Sequence, residues 1–254
     1  MSDREPVLDL DVLGAGPAYT DKPGSAGAAY LVRAGSTAVV LDLGQGSFPR
    51  LARTIEPSTV DAVVISHLHP DHFIDLVALR HYLRWQFRPV RRVRVIAPDG
   101  LERRIDALHD QPGFSAESLD IEPVAPGPLA VDGLEIEASR VTHTADSHAY
   151  RVATGDGPGL VYSGDCGRAT DLAPLIRPGD ALLCEVSFGP GPVPFEAVHL
   201  DGPAVGDLGA RTGAGRILLT HLQMGYDPEA TIASVRARYG GPVELVEPGA
   251  RYRI

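Results

Sequence analysis

The stretch Ser66-His67-Leu68-His69-Pro70-Asp71-His72 places three imidazoles and one carboxylate within six positions. It follows the apolar, β-branched run 60–65, which predicts a buried strand. Pro70 argues against a helix at this point, so we expect the four polar groups to lie on a loop at the end of that strand. Imidazole nitrogens and carboxylate oxygens are ligands that suit zinc or a similar divalent ion.

The number of ligand-type groups on this one loop predicts more than one metal ion. A catalytic zinc usually takes three protein ligands and keeps a fourth position open. Four groups exceed that need, so we expect two ions side by side, with further ligands arriving from elsewhere in the chain. A chance cluster in a polar loop is the alternative, and a total of 9 histidines in 254 residues argues against it.

The spacing resembles the HxHxDH signature of the metallo-β-lactamase superfamily. The other elements of that family follow in its order: His143 in Val-Thr-His-Thr, Asp165 after Ser-Gly, and His221 at the end of an apolar run. The matching elements extend over residues 42–221, so the resemblance covers nearly the whole chain. It implies an α/β fold, a four-layer αββα sandwich, which we expect to form a single domain over residues 1–254.

The resemblance also implies a dinuclear site at one edge of the sandwich. The first ion would be held by His67, His69 and His143, the second by Asp71, His72 and His221, with Asp165 bridging both. A carboxylate has two oxygens and can span two ions, which an imidazole cannot do. A hydroxide between the ions would be the nucleophile, because metal ions lower the pKa of bound water toward neutrality. Zinc is the expected metal, and manganese or iron stays open.

The last third of the chain looks like the phosphodiesterase branch of the superfamily, which includes transfer-RNA 3′-processing ribonucleases and small cyclic-nucleotide phosphodiesterases. There His199 takes the position of a histidine that contacts or protonates the scissile phosphate, as an imidazole titrating near neutrality can do. A surface or helix-capping histidine is the alternative. Asp71 and His199 are thus the predicted catalytic residues. Glu185 is the candidate to orient His199, and Asp42 the candidate to support the ligand loop from behind, with a turn-starting aspartate as its alternative.

The segment between His143 and Asp165 limits the range of substrates to be expected. The transfer-RNA enzymes carry a long arm there, whereas only 22 positions separate His143 from Asp165. The pattern therefore looks most like the compact actinobacterial-type cyclic-nucleotide phosphodiesterases and implies hydrolysis of a small phosphodiester. His81, Arg84 and His148 are the candidates for lining the substrate pocket, with a structural role as the alternative for each.

Other chemistries are compatible with the same ligand set. A carbon-centred hydrolase, such as a lactonase or thioesterase, would use the metals without needing His199. An iron-dependent persulfide dioxygenase would share the ligands but require a redox metal. A transfer-RNA ribonuclease and a metal-free binding protein are weaker alternatives, since the arm is absent and every expected ligand is present.

Charge argues against nucleic acid as a partner and for a small-molecule substrate, because the net charge is −10. Seven arginines crowd one short segment and form either a phosphate-binding patch or a solvated face: Arg84, Arg88, Arg91, Arg92, Arg94, Arg103 and Arg104. Cys166 and Cys184 are expected to be reduced and buried, although the position of Cys166 beside Asp165 leaves a ligand role open.

No membrane or secretion signal is evident. No apolar run approaches the roughly 18–20 residues that span a bilayer. The segment Met1-Ser2-Asp3-Arg4-Glu5-Pro6 lacks the basic start and apolar core of a signal peptide. We therefore expect a cytoplasmic protein, and the sequence leaves a homodimer open.

Apolar periodicity predicts alternating strands and helices along the chain. Strands are expected at 7–13, 28–33, 37–43, 60–65, 93–97, 119–124, 129–131, 134–141, 149–153, 160–163, 181–186 and 216–220. Helices are expected at 73–87, 102–109, 170–176, 202–211 and 228–239. Their mixture, with a late βαβ-like half, is typical of a layered α/β fold.

Overall fold

The computed structural model describes the backbone of residues 7–254 and every side chain in that range except that of Ala130. Its strands are β1 (Asp9–Gly14), β2 (Ala29–Ala34), β3 (Thr37–Leu43), β4 (Ala62–Val64), β5 (Val93–Ala97), β6 (Leu119–Pro123), β7 (Gly127–Val131), β8 (Leu134–Val141), β9 (Ser147–Ala153), β10 (Leu160–Tyr162), β11 (Ala181–Glu185), β12 (Arg216–Thr220), β13 (Val243–Leu245) and β14 (Arg251–Arg253). Its helices are α1 (Phe48–Thr54), α2 (Pro70–Phe73), α3 (Leu76–Trp85), α4 (Leu101–Leu108), α5 (Ala169–Leu172), α6 (Gly202–Thr212) and α7 (Pro228–Arg236).

The strands form two sheets of seven, ordered β14-β1-β2-β3-β4-β5-β6 and β13-β12-β11-β10-β9-β8-β7. Each sheet has an antiparallel half and a parallel half. The parallel pairs run from β3 to β6 in the first sheet and from β10 to β13 in the second. Ligands of open α/β sheets bind beyond the carboxyl ends of parallel strands. The residues that follow β4, β10 and β12 are therefore in the position where a site is expected.

Three apolar clusters divide the molecule into four layers. The central cluster joins side chains of both sheets, such as Leu41 of β3 and Leu183 of β11. A second cluster packs the first sheet against helices, with Leu79 of α3 as an example. A third packs the other sheet against Val205 of α6 and its neighbours. The predicted αββα sandwich is thus confirmed, while the expectation of one domain over residues 1–254 stays a prediction.

Two buried tyrosines link the sheets by hydrogen bonds as well as by packing. The hydroxyl of Tyr30 in β2 lies 2.5 Å from Oγ1 of Thr220 in β12. Tyr150 in β9 donates its hydroxyl to the carbonyl of Ile65, which follows β4, at 2.8 Å. A buried phenol needs a hydrogen-bond partner. Each tyrosine finds its partner on the opposite sheet, close to the carboxyl ends of the parallel strands.

The expectation that the whole ligand stretch is a loop is wrong for its second half. Helix α2 begins at Pro70, with His69 as its N-terminal cap, and it contains Asp71 and His72. Proline is favoured at the first helical position because the N–H that it lacks would have no intrahelical partner there. The predicted helix 73–87 is accordingly divided between α2 and the later helix α3.

Three elements have no counterpart in the predicted pattern: α1, β13 and β14. Strand β14 shows why. It consists of Arg251, Tyr252 and Arg253, and so lacks the apolar alternation by which strands are identified. Arg251 lies opposite Asp11 of β1 and donates from Nε to its carboxylate at 2.6 Å. Backbone pairing and charge at the sheet edge hold this strand, and neither is visible in a hydropathy pattern.

Among residues 7–254, no helix combines the length and apolar character needed to cross a membrane. Residues 1–6, on which the expectation of no signal peptide depended, lie outside the described part of the chain.

The buried ion pair Arg151–Asp180 fastens β9 to the segment before β11. Nε of Arg151 lies 2.8 Å from Oδ2 of Asp180, and Nη2 lies 2.9 Å from Oδ1. The same carboxylate accepts the backbone N–H groups of Gly159 and Arg177. The exposed fractions of the two side chains are only 3% and 0%. Removal of one partner would therefore leave the other charge buried, with neither a counter-charge nor water to stabilise it.

We predict that Arg151→Leu lowers the free energy of unfolding by about 3–5 kcal/mol, because it leaves Asp180 buried without its counter-charge. The matched control is Arg92→Leu, which breaks the exposed pair with Asp120 and should cost about 0–1 kcal/mol. Urea unfolding of both variants measures the difference. Similar small losses in the two would contradict the role given to the buried pair.

Candidate metal centre

The structure brings all seven predicted ligands to the carboxyl edge of the two sheets. They fall into two groups, and within each group the ligand atoms lie within 4.8 Å of one another: His67, His69, His143 and Asp165, and then Asp71, His72 and His221. The residues arrive from both sheets. The HxHxDH stretch follows β4 and enters α2, while the other three ligands follow β8, β10 and β12.

Asp165 lies between the two groups and turns one oxygen toward each. Its Oδ1 is 3.4 Å from Nε2 of His72 and 3.5 Å from Nε2 of His221. Its Oδ2 is 3.8 Å from Nε2 of His67 and 3.7 Å from Nε2 of His143. This arrangement can bridge two cations, because each carboxylate oxygen faces a different set of imidazoles.

A glycine permits the turn that delivers Asp165. Gly164 has φ +55°, and a Cβ added to it would lie 2.8 Å from Cβ of Ser66. Any side chain at this position would therefore collide with the ligand loop and would also strain the backbone. The Ser-Gly-Asp order in the sequence follows from this close approach between the two sheets.

Asp42 holds the ligand loop in place through three hydrogen bonds and accepts a fourth from the opposite sheet. Its Oδ1 accepts the Ser66 N–H at 2.6 Å, while Oδ2 accepts the Ser66 hydroxyl at 2.7 Å. Oδ2 also lies 2.7 Å from Nδ1 of His72 and accepts the Tyr162 hydroxyl at 2.6 Å. Asp42 is fully buried, so these donors replace the water that an exposed carboxylate would bind. The expected support of the ligand loop by Asp42 therefore has a direct geometric basis.

The backbone at Asp42 explains how its side chain reaches the loop. The register between β2 and β3 shifts at this point, pairing Ala29 with Leu43 but Tyr30 with Leu41. Asp42 is thus the extra residue of a β-bulge, with φ +56°. Bulges re-aim side chains, and a left-handed backbone at a non-glycine residue is a strained conformation that recurs at functional sites.

Glu185, at the end of β11, supports the site in the second sheet as Asp42 does in the first. Its Oε1 accepts the Cys166 N–H at 2.8 Å and lies 3.0 Å from Nδ1 of His199. Its Oε2 accepts both the N–H and the hydroxyl of Ser187, at 3.1 and 2.6 Å. The Ser187 oxygen in turn lies 3.1 Å from Nδ1 of His221. One buried carboxylate therefore orients a ligand and the predicted proton donor together.

Hydrogen bonds at Nδ1 decide which ring nitrogen faces the centre in His67, His72 and His143, whereas His69 turns its Nδ1 toward the centre. Nδ1 of His143 lies 2.9 Å from the Val198 carbonyl, and Nδ1 of His67 lies 3.1 Å from the Ser66 hydroxyl. Together with the contact between His72 and Asp42, these partners leave Nε2 as the atom that carries the lone pair into the centre. The ligand stretch and its supports are thus arranged as metal-binding histidines usually are.

The buried nitrogens at the centre fit a metal ion. Nε2 of His67 and Nε2 of His72 are buried, and no hydrogen-bond partner for either exists within residues 7–254. Nε2 of His143 and Nδ1 of His69 approach each other to 3.2 Å. Unsatisfied buried polar atoms are costly. A divalent cation bonded to these converging lone pairs would remove that cost, so the residues present suit the group that the fold implies.

The electrostatics of the centre also favour a cation. Burial acts to raise the pKa of Asp165, but the charges of His221 and His72 outweigh it and hold that pKa well below its usual range. Burial acts to lower the pKa of His72, but Asp165 and Asp42 raise it well above normal. The Asp165–His72 side of the centre therefore stabilises positive charge, which a metal can supply by displacing the protons from the imidazoles. Burial instead lowers the pKa of His67 and His69, which keeps these imidazoles in the neutral form that binds a metal.

His199 lies beside both groups and is more accessible than the buried ligands. Its side chain is 17% exposed, and its Nδ1 lies 3.9 Å from Oδ2 of Asp165. Burial acts to lower the pKa of His199, but the hydrogen bond and charge of Glu185 raise it above its ordinary value. With Asp165 and His221 it also forms a third group of ligand-type atoms. Because Glu185 engages Nδ1, Nε2 is the nitrogen left for substrate.

The three candidates for the substrate pocket take structural positions instead. His148 is fully buried, and its backbone N–H donates to the Ser66 carbonyl at 2.9 Å, behind the ligand loop. His81 packs against His109 and Phe114. Arg84 donates to the carboxylate of Glu117 at 2.7 Å. Within residues 7–254 none of the three side chains makes a hydrogen bond or ion pair with a metal-ligand candidate, so the structural alternative is favoured for each.

The arginine segment forms a paired surface around α3, β5 and β6. Arg92 and Arg94 make ion pairs with Asp120 and Glu122 of β6. These pairs favour a solvated face over a phosphate-binding patch. Arg104 is different, since its Nη1 donates to the Leu68 carbonyl at 2.8 Å and so fastens the ligand loop from outside.

The two cysteines are buried thiols. Cys166 Sγ donates to the Arg168 carbonyl at 3.2 Å, and burial raises the pKa of this thiol to about 12. Metals bind the thiolate, so this environment does not favour Cys166 as a ligand. Burial likewise raises the pKa of Cys184 well above its usual range.

Sequence reasoning missed the hydroxyls that complete the site. Ser66 and Ser187 each join a buried carboxylate to the Nδ1 of a ligand histidine, and Tyr162 reaches Asp42 from the opposite sheet. The signals were weak ones: a serine directly before the HxH motif, and another two residues after Glu185. Such residues are too common in loops to single out without the hydrogen-bond geometry.

Comparison with known proteins agrees with this geometry. A family model described as the β-lactamase superfamily domain matches residues 38–222. An uncharacterized protein of Mycobacterium leprae is 33% identical over 255 residues, covering 98% of this chain and 89% of the relative. A ribonuclease Z of Mycobacterium bovis is 27% identical over 198 residues, covering 70% of this chain and 69% of the relative.

Solved structures share the fold at low sequence identity. The metallo-β-lactamase fold protein YhfI from Bacillus subtilis superposes with a TM-score of 0.86 at 21% identity, covering 98% of this chain and all of that one. A diphosphatase from the PhnP family has a TM-score of 0.73 at 16% identity, covering 97% and 98%. From the match over residues 38–222 and the shared architecture, we conclude that the chain belongs to the β-lactamase superfamily and has the fold of its metallo-hydrolases.

Proposed function

We propose that the protein hydrolyses small phosphodiesters at a centre of two divalent metal ions, with zinc as the expected metal. One observation carries the proposal. His199 is held by the buried carboxylate of Glu185 at the margin of the centre, although the two ligand groups are complete without it. A histidine that these two groups do not need as a ligand supports a role in acting on a substrate.

The two ligand groups support one ion for each set of imidazoles. His67, His69 and His143 would hold the first ion, and Asp71, His72 and His221 the second, with Asp165 shared. When bound, two ions supply an activated water and neutralise the charge of the phosphate. Asp42 orients His72 through Nδ1, and Glu185 orients His221 through Ser187, so that the Nε2 lone pairs of these two imidazoles are fixed before the ions arrive.

His199 supports chemistry on an alkoxide leaving group. Its Nδ1 is fixed by Glu185, and its partial exposure makes Nε2 available to a substrate lying over the centre. An imidazolium can donate its proton to the leaving oxygen as the P–O bond breaks, and the charge of Glu185 stabilises that imidazolium. An alkoxide from a sugar needs this proton, since it is a poor leaving group.

The similar proteins and the chain's own fold support a small phosphate ester as the substrate. The ribonuclease Z and the PhnP-family diphosphatase are named for reactions at phosphorus. Residues 144–164 are taken up by β9, a turn and β10, which leaves no room for an RNA-binding arm. Together with the net charge of −10, this argues against a long nucleic acid as substrate.

The first test is the metal content. Protein purified without chelator should carry about two ions per chain, as two-metal catalysis requires, with zinc the expected element. His69→Ala should lower that number, whereas His109→Ala, which removes an exposed histidine outside the centre, should not. Elemental analysis of the protein and both variants measures the number of ions per chain. A single ion in the unaltered protein, or no effect of His69→Ala, would contradict the dinuclear centre.

The bridging role of Asp165 predicts a graded loss. Asp165→Ala should lose both ions and all measurable activity, because the carboxylate faces both imidazole groups. His72→Ala should weaken only the ion on its own side and keep more of the first ion. Asp207→Ala, on the exposed face of α6, is the control for loss of a carboxylate. Retention of both ions by Asp165→Ala would remove the bridging assignment.

His199 gives the test that separates phosphodiester hydrolysis from the alternatives. His199→Ala should keep the ions and lower turnover by roughly 10²–10⁴-fold, the range of general acid–base catalysis. The loss should be larger for a dinucleotide, with its sugar leaving group, than for bis(p-nitrophenyl) phosphate, whose leaving group needs no proton. Steady-state rates on both substrates measure the contrast.

Equal losses on both substrates would argue that His199 positions the substrate rather than donating a proton. Activity on lactones or thioesters, with none on any phosphodiester, would replace the proposal with a carbon-centred hydrolase.

A further inference from the structure

We propose that a cationic pocket beside the metal centre binds a second phosphate group, so that the preferred substrates are phosphodiesters that carry a terminal phosphate as well. The inference rests on the proposed function and specifies its substrate class. The pocket, called here the Lys22–Arg50 pocket, lies between the loop 15–25, Arg50 of α1, Leu222 and the segment 245–248.

The Lys22–Arg50 pocket adjoins the second ligand group. Leu222, in its wall, directly follows His221, and the His221 N–H donates to the carbonyl of Ala15 in the pocket loop at 3.0 Å. Two residues beyond this loop, Gly27 approaches the ligand helix closely, since a Cβ added to it would lie 2.5 Å from the Asp71 carbonyl oxygen. Leu222 and Ala15 thus join the pocket to the His221 side of the centre, and the inference is that a substrate bound at the centre extends past His221 into this pocket.

The charges in the pocket are unpaired. Lys22 is the only lysine of a chain whose net charge is −10. Across residues 7–254 neither Lys22 nor Arg50 makes an ion pair, whereas Arg33, Arg92 and many other arginines do.

Arg50 is also held in position, because its Nη1 donates to the Leu13 carbonyl at 2.5 Å. Among the residues that line the pocket, Glu247 is the only carboxylate. Two cations facing one carboxylate in a concave site favour an anionic ligand, and charge-assisted hydrogen bonds to phosphate are strong ones.

The size and the wall of the pocket indicate what lies between the two phosphates. Its volume is about 420 Å³, within the range of small-molecule sites and more than one phosphate group fills. Leu222, Leu245 and Pro248 add apolar surface to the polar groups. A sugar or a base can occupy that surface, which points to a phosphorylated dinucleotide rather than to a mononucleotide with a single phosphate.

The test compares adenylyl-adenosine with the same dinucleotide carrying a terminal phosphate, placed at the 5′ end in one probe and at the 3′ end in another. The metal-loaded protein should cleave one phosphorylated probe with a kcat/KM about tenfold higher than that for the unphosphorylated dinucleotide. This factor is the lower range for a hydrogen bond to a charged group.

Lys22→Gln and Arg50→Gln should each reduce that preference. Arg53→Gln, an exposed charge on the same helix and outside the pocket, should keep it. Lys22→Glu serves if loss of the Arg50 hydrogen bond impairs folding.

Equal cleavage of all three probes by the unaltered protein, or a preference that survives both substitutions, would overturn the inference. Calorimetric binding of uncleavable methylenephosphonate analogues, with and without the terminal phosphate, separates this inference from the function on which it rests. If no phosphodiester is cleaved, the proposed function is wrong. The binding comparison still tests whether the pocket binds a second phosphate. Equal affinities of the analogues for the unaltered protein would exclude such a site.

Discussion

The hydrogen bonds accepted by the buried carboxylate of Asp42 are the constraint on which the rest of the site depends. A carboxylate removed from water is tolerated only when its oxygens are satisfied, and Asp42 achieves this with Ser66, His72 and Tyr162. The requirement acts in both directions. The loop donors satisfy the carboxylate, and the carboxylate fixes the loop, so the ligand geometry is set by the fold rather than by the metal.

The second sheet repeats this solution with different residues. Glu185 ends β11 as Asp42 nearly ends β3, and each is buried and reaches a ligand histidine. In the first sheet the contact to His72 is direct, whereas in the second it passes through Ser187 to His221. The difference leaves one oxygen of Glu185 available to His199. A single residue thus connects the groups that would bind the ions to the group that would act on the leaving oxygen.

The clustering of the seven ligand candidates and the layered fold could be predicted from the sequence, because both depend on spacing and on which runs are apolar. What could not be predicted depends on three-dimensional register. The bulge at Asp42 requires knowing how β2 pairs with β3. The burial of His148 follows from β9 being covered on both faces, which a strand pattern cannot distinguish from one exposed face. The prediction that Pro70 excludes a helix is wrong because proline disrupts a helix only in the interior. At the first turn proline is favoured, and Pro70 occupies that position.

The division of the ligands between the sheets has a mechanical consequence. His67, His69 and their neighbours in the HxHxDH stretch belong to the N-terminal half of the chain, whereas His143, Asp165 and His221 belong to the C-terminal half. Bound ions would therefore cross-link the two halves of the chain at this edge, in addition to the packing between the sheets, the pairing of β14 with β1 and hydrogen bonds such as that of Tyr150. Because the ions would bind the folded arrangement in preference to the unfolded chain, metal loading would raise the stability of the fold, and it would do so at the edge where the two sheets supply the ligands.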